Sequence, residues 1–282
     1  MRREKPGWRK MIFEDKLEYR SLNAKDMKKV VILHAKAFGP EKIRHTIFYS
    51  PRAYRFLESL ISYPKIQQLH HFLGVWAGRD LIAYAHYRLL QNSFHLNQIV
   101  VDPNYQSKGI GKYLVIEWAK RAKVIGLSHL TLDVDEENSR AFSWYCRMGL
   151  SPISKTYLYE CEIEPKPYGF ISSDFKLLDW ENTIAWQKTY GFSTIRIEYH
   201  KKIWEVGWIW NSLHIENGFP KVLISGLFYL VPNTRWLFVR SSKPIVNINY
   251  SPGHWRLASI IVRMQASTEM INTLLTKNGL SL

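Results

Sequence analysis

The chain has 282 residues, of which 46% are hydrophobic and 22% charged, a globular composition that excludes an intrinsically disordered protein and suits one large domain or two of ordinary size. Lys and Arg outnumber Asp and Glu by 39 to 24, a formal net charge of +15 spread along the chain, which attracts polyanions (nucleic acid, an anionic surface, a phosphorylated ligand) or serves solubility alone. The longest apolar runs, such as 222–231, reach about half the length a bilayer demands, residues 1–10 carry charge without the apolar core of a secretory signal, and two cysteines, Cys146 and Cys161, are too few for a disulfide framework and fit a cytoplasmic setting.

Residues 17–22 alternate like a strand, and residues 24–39 have helical spacing that stops at Gly39. Pro51 opens a second short helix, where its missing N–H costs nothing. Three strand-like runs follow at 69–77, 80–90 and 93–101, and the short polar turns between them predict antiparallel hairpins. Beyond a glycine turn, residues 112–125 set Leu114, Trp118, Ala122 and Ile125 on one helical face and Glu117 and Arg121 on another. Residues 129–135 predict a strand, 139–148 a helix, and the segment from 154 a closing strand. The order βααβββαβαβ predicts an α/β fold, a mixed sheet flanked by helices.

The glycine turn joins a strand ending at Val101 to the helix. Backbone N–H groups and the positive helix end converge there. Gly109 and Gly111 allow close approach and positive φ. Lys108 and Lys112 stand where a helix N-terminus ordinarily prefers acids, so a phosphate would supply the missing negative charge. An ordinary strand-to-helix turn is the alternative.

From Val101 the chain reads V-x-P-x-x-Q-x-x-G-x-G, and one helix and one strand later N-x-x-A-x-x-x-Y-x-x-x-G-L, filled by Asn138, Ala141, Tyr145, Gly149 and Leu150. Together, in this order, the two motifs resemble the GNAT superfamily of acetyl-CoA-dependent N-acetyltransferases over about residues 17–164. The resemblance implies acetyl-CoA as acyl donor, held at its pyrophosphate by the main-chain amides of Ser107, Lys108, Gly109, Ile110, Gly111 and Lys112, with Gln106 bracing the loop. It puts Ile99 and Val101 on the strand that pairs with the pantetheine arm and aims an amide at the thioester carbonyl, stabilising an oxyanion. Asn138 corresponds to an asparagine near the pantetheine and reads equally as a plain N-cap. Tyr145 falls at the place of the general acid that protonates the departing thiolate; packing on an amphipathic helix is its other reading.

His95 occupies the position at which the lysine-modifying branch of the family carries a catalytic glutamate. This departure makes His95 a candidate base, although a strand histidine is commonly structural, and Asp133 and Asp135 on the neighbouring strand are alternatives. No Cys or His spacing predicts a metal. The implied reaction is direct acetyl transfer to a primary amine in a ternary complex. A small amine, a protein N-terminus, a lysine and an aminoacyl-RNA all stay open as acceptors, and so does a longer acyl group.

Residues 164–169 look like a connector between a 1–164 acetyltransferase-like domain and an aromatic-rich α+β domain at 165–282. The second carries Trp180, Trp186, Trp204, Trp208, Trp210, Trp236 and Trp255. Residues 193–210 and 221–241 read as strands, and 267–279 as a final helix closed by Gly279. A faint echo of 137–160 at 181–199 suggests a decayed duplication or a coincidence, and no second Q-x-x-G-x-G turn accompanies it. Aromatics interleaved with Lys201, Lys202, Arg235, Arg240 and Lys243 would stack nucleic-acid bases, while a packed core or homodimer interface is the preferred alternative. Two classes of function therefore stand: an N-acetyltransferase, or an inactive module that binds nucleic acid or a protein partner. Neither involves a membrane.

Overall fold

The computed structural model describes residues 17–163, 175–248, 250 and 253–277. The N-terminal segment 1–10, the connector at 164–169 and Gly279 lie outside the described residues. The chain runs β1 (Leu17–Ser21), α1 (Met27–Ile43), α2 (Ala53–Ser62), α3 (Pro64–Gln67), β2 (His70–Ala77), β3 (Asp80–Leu89), β4 (Ser93–Val101), α4 (Ile110–Ile125), β5 (His129–Asp135), α5 (Ser139–Arg147) and β6 (Ser151–Glu162). It continues with β7 (Phe175–Leu178), α6 (Trp180–Tyr190), β8 (Phe192–Tyr199), β9 (Lys202–Ile209), β10 (Ser212–Glu216), α7 (Val222–Leu230), β11 (Trp236–Ser241), β12 (Trp255–Ser267) and α8 (Thr268–Lys277). Gly39 takes φ 76° and ψ 166° and breaks α1, as its sequence position predicts, but Pro40 restarts one more turn in which its absent N–H is harmless.

These strands form one sheet in the order β1-β2-β3-β4-β5-β12-β6-β11-β10-β9-β8-β7. Its first part has two buried faces. On one, Ala85, Tyr87, Phe94, Leu96, Leu130 and Leu132 meet Leu114, Trp118 and Ala122 of α4. On the other, Leu81, Tyr84 and Val100 meet Val30 and Leu33 of α1 and Leu57 of α2. Each such large side chain contributes roughly 1.5–3 kcal/mol by leaving water.

The closing strands are exchanged. β6 does not pair with β5; β12, from the far end of the chain, lies antiparallel between the two. β6 in turn pairs antiparallel with β11. Thus β1–β5 are completed by β12, and β7–β11 by β6. β4 with β5 and β10 with β11 are the parallel neighbours. The insertion follows the period of two in β12: Val262, Met264 and Ala266 alternate into the core beneath α4.

One expectation fails. The apolar run 222–231 is the helix α7, not a strand. An unbroken apolar run carries no periodicity that separates the two. Its inward residues Leu223, Ile224, Leu227 and Phe228 recur at helical spacing and fill the core against β8–β11, while Val222 and Tyr229 stay exposed. The echo between 137–160 and 181–199 falls on helices at different places in the strand order, α5 between β5 and β6 and α6 between β7 and β8. Among the tryptophans, Trp180, Trp204, Trp208 and Trp255 pack against the second core. The Lys202 ammonium lies 3.6 Å above Trp204 and the Arg235 guanidinium 5.8 Å from Trp236, so both cations already face rings of their own chain.

Candidate functional site

The parallel ladder of β4 and β5 spans Ser93↔His129 to Leu96↔Leu132 and goes no further. At that point Asn97 is an extra residue against β3, since Tyr87 pairs with Leu96 and His86 with Gln98. A bulge of this kind bends its strand. Beyond it β4 parts from β5, carrying half-buried Ile99 and Val101 along the gap.

At the end of β4 the loop is fixed from three sides. The Gln106 amide donates to the Val101 carbonyl at 3.3 Å. Lys36 of α1 pairs with Asp102 at 2.6 Å. Arg140 of α5 donates to the Ser107 hydroxyl at 2.9 Å. Behind the loop, α4 is anchored by Trp118, whose indole donates to the Phe94 carbonyl at 3.1 Å, and by the Tyr87 hydroxyl, which donates to the Leu114 carbonyl at 2.7 Å. These bonds set where the helix N-terminus points.

Ser107 and Gly109 adopt φ of 63° and 82°. Gly109 is the N-cap of α4, with no capping side-chain bond and no acid in the first turn. A Cβ at Gly109 would meet nothing within 4 Å, and one at Gly111 only ordinary contacts, 3.8 Å to Trp144 and 3.9 Å to Val101. Space, uncapped N–H groups and the cations Lys108, Lys112 and Arg140 therefore converge on one exposed turn. That combination suits an anion, and the residues present fit a pyrophosphate. Arg140 was not among the sequence candidates. It sits in the turn after Asn138, but its reach to Ser107, 33 residues back, is visible only in three dimensions.

A polar group lies on the opposite face of the sheet, reached by side chains that alternate with core residues. The His95 Nδ1 is 3.1 Å from the Thr131 hydroxyl, and its Nε2 is 3.9 Å from Asp133. Burial pushes the His95 imidazole down to about 4; Asp133 opposes the shift, and Arg263 and Arg88 reinforce it. Asp133 is gripped by Arg263 of β12 through two hydrogen bonds, Nε to Oδ1 and Nη2 to Oδ2. Beside this group, His86 lies between His70 at 2.9 Å and Gln98 at 2.8 Å, and burial lowers it to about 3. Asp135 is engaged locally, its carboxylate accepting the Glu137 N–H at 2.9 Å.

Asn138 caps α5 by accepting the Ala141 N–H at 3.2 Å. Tyr145 is 5% exposed and packs in the core beside α4, where burial raises its phenol above the ordinary value. The fold thus gathers residues 101–112 with Arg140 at one end of the β4–β5 gap. It brings His95 to Asp133, and leaves Tyr145 on the α4 side and His95 on the α1–α2 side.

A mixed sheet parted between two parallel strands, with an uncapped helix at the parting, defines the GNAT class of fold. Residues 41–150 match the model of the Acetyltransferase (GNAT) family. A spermidine N(1)-acetyltransferase of Thermoplasma acidophilum is 35% identical over 78 residues, 28% of this chain and 48% of the relative, so the chain spans about half the length of that curated relative. Two solved structures align with nearly the whole chain. The tandem GNAT protein from the clavulanic acid biosynthesis pathway is 12% identical, with 90% of this chain and 99% of the other covered, at a TM-score of 0.59. The GCN5-related N-acetyltransferase from Sphaerobacter thermophilus is 10% identical, with 90% and 96% covered, at a TM-score of 0.60. At these identities the likeness is one of fold.

Proposed function

We propose that this chain is an N-acetyltransferase that moves an acetyl group directly from acetyl-CoA to a primary amine. The observation that carries the reading is the loop from Gln106 to Lys112, with uncapped amides, an open glycine turn and three cations at the end of a parted parallel pair. The amides of residues 107–112 hold the pyrophosphate, Gln106 braces the loop, and Arg140 adds charge beside Ser107. Ile99 and Val101 line the path of the pantetheine arm, with Asn138 across from them. We divide the chain into a 1–164 catalytic domain and a second GNAT-like domain at 165–282 that closes the first with β12.

Tyr145, with its proton retained far above neutral pH, donates to the leaving thiolate as the sulfur charge develops. His95 is neutral at pH 7 and offers a ring nitrogen. As a base depressed to about 4 it is too weak to strip a free ammonium ion. It takes the proton only as the C–N bond forms, when the nitrogen becomes acidic. The amine must therefore arrive unprotonated, which predicts rates that rise with pH toward the acceptor's own pKa. The spermidine acetyltransferase relative makes polyamines a reasonable first acceptor to screen.

The test is calorimetric titration with acetyl-CoA of the parent and of Gly111→Glu, followed by release of free CoA thiol with an amine panel. Binding by the parent, its loss in the variant and amine-dependent thiol release support the reading. No binding by the parent overturns it. Tyr145→Phe tests the acid: unchanged turnover would remove Tyr145 from the chemistry.

A further inference from the structure

We propose that Arg263, delivered by the exchanged strand β12, is a positioning residue for the transfer site, holding the Asp133 carboxylate away from His95 so that the ring stays free to accept a proton. This rests on the function proposed above. The geometry is specific. Asp133 is the first β5 residue past the last β4–β5 pair, Leu96↔Leu132, and so stands where the strands part. Arg263 is its register partner on β12. Both Asp133 oxygens are engaged by Arg263, Oδ1 by Nε and Oδ2 by Nη2, and the second is the oxygen that lies 3.9 Å from the His95 ring. A residue 130 positions further along the chain thereby occupies the carboxylate that His95 would otherwise take as its own ion-pair partner.

The groups around His95 make the direction of the effect clear. Arg88 and His86 face it from β3, Thr131 and Asp133 from β5, and Arg263 from β12. Arg88 and Arg263 disfavour a charged ring, and Asp133 favours one. Removing Arg263 deletes one repulsion and frees the only carboxylate among these groups. The ring then charges at higher pH, and below that pH it stops serving as an acceptor. The second half of the chain would in this way set the protonation state of a group in the first.

The experiment follows the His95 ring by heteronuclear NMR titration in the parent, Arg263→Met, Arg263→Lys and the double variant Arg263→Met with Asp133→Asn. It is paired with the pH dependence of kcat/KM. In Arg263→Met the His95 titration and the lower bend of kcat/KM, below the one set by the acceptor amine, should both move up by about one pH unit or more. Arg263→Lys should move them less, because it keeps a cation in place. In the double variant the shift should vanish, since the carboxylate that charges the ring is gone. An unmoved His95 titration in Arg263→Met, or an equal shift in the double variant, overturns the proposal. If Arg263→Met fails to fold, the Lys and double variants decide by the same criterion. The NMR readout needs no turnover: a shift in a protein that transfers no acetyl group would sink the proposed function and leave the Arg263–His95 relationship standing.

Discussion

Ser50, ahead of α2, donates to the Tyr190 carbonyl at the end of α6 at 2.8 Å and presses against the next residue, Gly191, so closely that an added Cβ there would lie 2.0 Å from the Ser50 hydroxyl. Ser50 is fully buried. Phe56 of α2 sits edge-on to Phe192 at 5.0 Å beside it. The two parts of the sheet thus meet through helices as well as through exchanged strands. Gly191 also has φ of 73°, so Gly191→Ala should cost about 2 kcal/mol or more through combined strain and clash. Ser50→Ala should cost only about 1 kcal/mol for the lost bond. Urea unfolding of the two variants checks the order; equal losses would mean that the contact is not what the glycine serves.

A second link between the parts is ionic. Glu160 of β6, nearly buried, lies 3.6 Å from Arg44 and 2.5 Å from Arg256. Arg44 in turn covers Trp236 at 3.9 Å. Arg256 is largely solvated, so Glu160→Ala strands mainly the buried Arg44 and should destabilise by roughly 3 kcal/mol. Arg44→Met combined with Glu160→Leu removes both charges and should lose less than the sum of the two single changes. A double-mutant cycle reads the difference.

What was legible in the sequence is local. The residues from Gln106 to Lys112 and the Asn138 cap each declare themselves by spacing within a single turn, and the structure shows the bonds at Val101 and Ala141 that this spacing allows. Asn97, whose bulge opens the gap between β4 and β5, has no signature of its own, because a bulge is defined by register against a partner strand. Arg263 is invisible for the same reason: only the exchange of β6 and β12 sets it opposite Asp133. α7 failed differently, since its all-apolar run satisfies a helix and a strand equally until neighbours choose.

Mild acid should destabilise the fold through its buried histidines. His34, 2.6 Å from the Tyr84 hydroxyl and stacked on Phe48 at 3.6 Å, is lowered to about 3 by burial. At pH 7 the ring is neutral in both folded and unfolded chains, and nothing is lost. Below about pH 6.5 the unfolded chain takes up the proton while the folded chain does not, so each such group costs about 1.4 kcal/mol per pH unit until the folded value is reached. His86 and His95 act in the same direction. Urea midpoints should therefore fall steeply between pH 6.5 and 5. His34→Gln should start from a lower stability at pH 7 yet show a flatter slope, by about 1.4 kcal/mol per pH unit. A parallel slope would show that His34 protonates in the folded chain.

The two loop glycines should separate backbone freedom from ligand approach. Gly109 has positive φ and open space around its missing Cβ, whereas Gly111 lies outside the set of positive-φ residues and its Cβ would make ordinary contacts. Gly109→Ala should thus cost about 1 kcal/mol of stability through conformation alone. Gly111→Ala should unfold within about 0.5 kcal/mol of the parent, because the folded chain has room for a methyl group. Its effect belongs to the ligand: a methyl group between Trp144 and Val101 narrows the approach to the amides, and acetyl-CoA affinity should fall about tenfold or more, some 1.4 kcal/mol. Calorimetric titration alongside urea unfolding reads both quantities on one preparation. If Gly111→Ala binds as the parent does, then close approach of a phosphate is not what keeps glycine at 111. The cradle would then rest on the helix N-terminus at Gly109 and the cations around it.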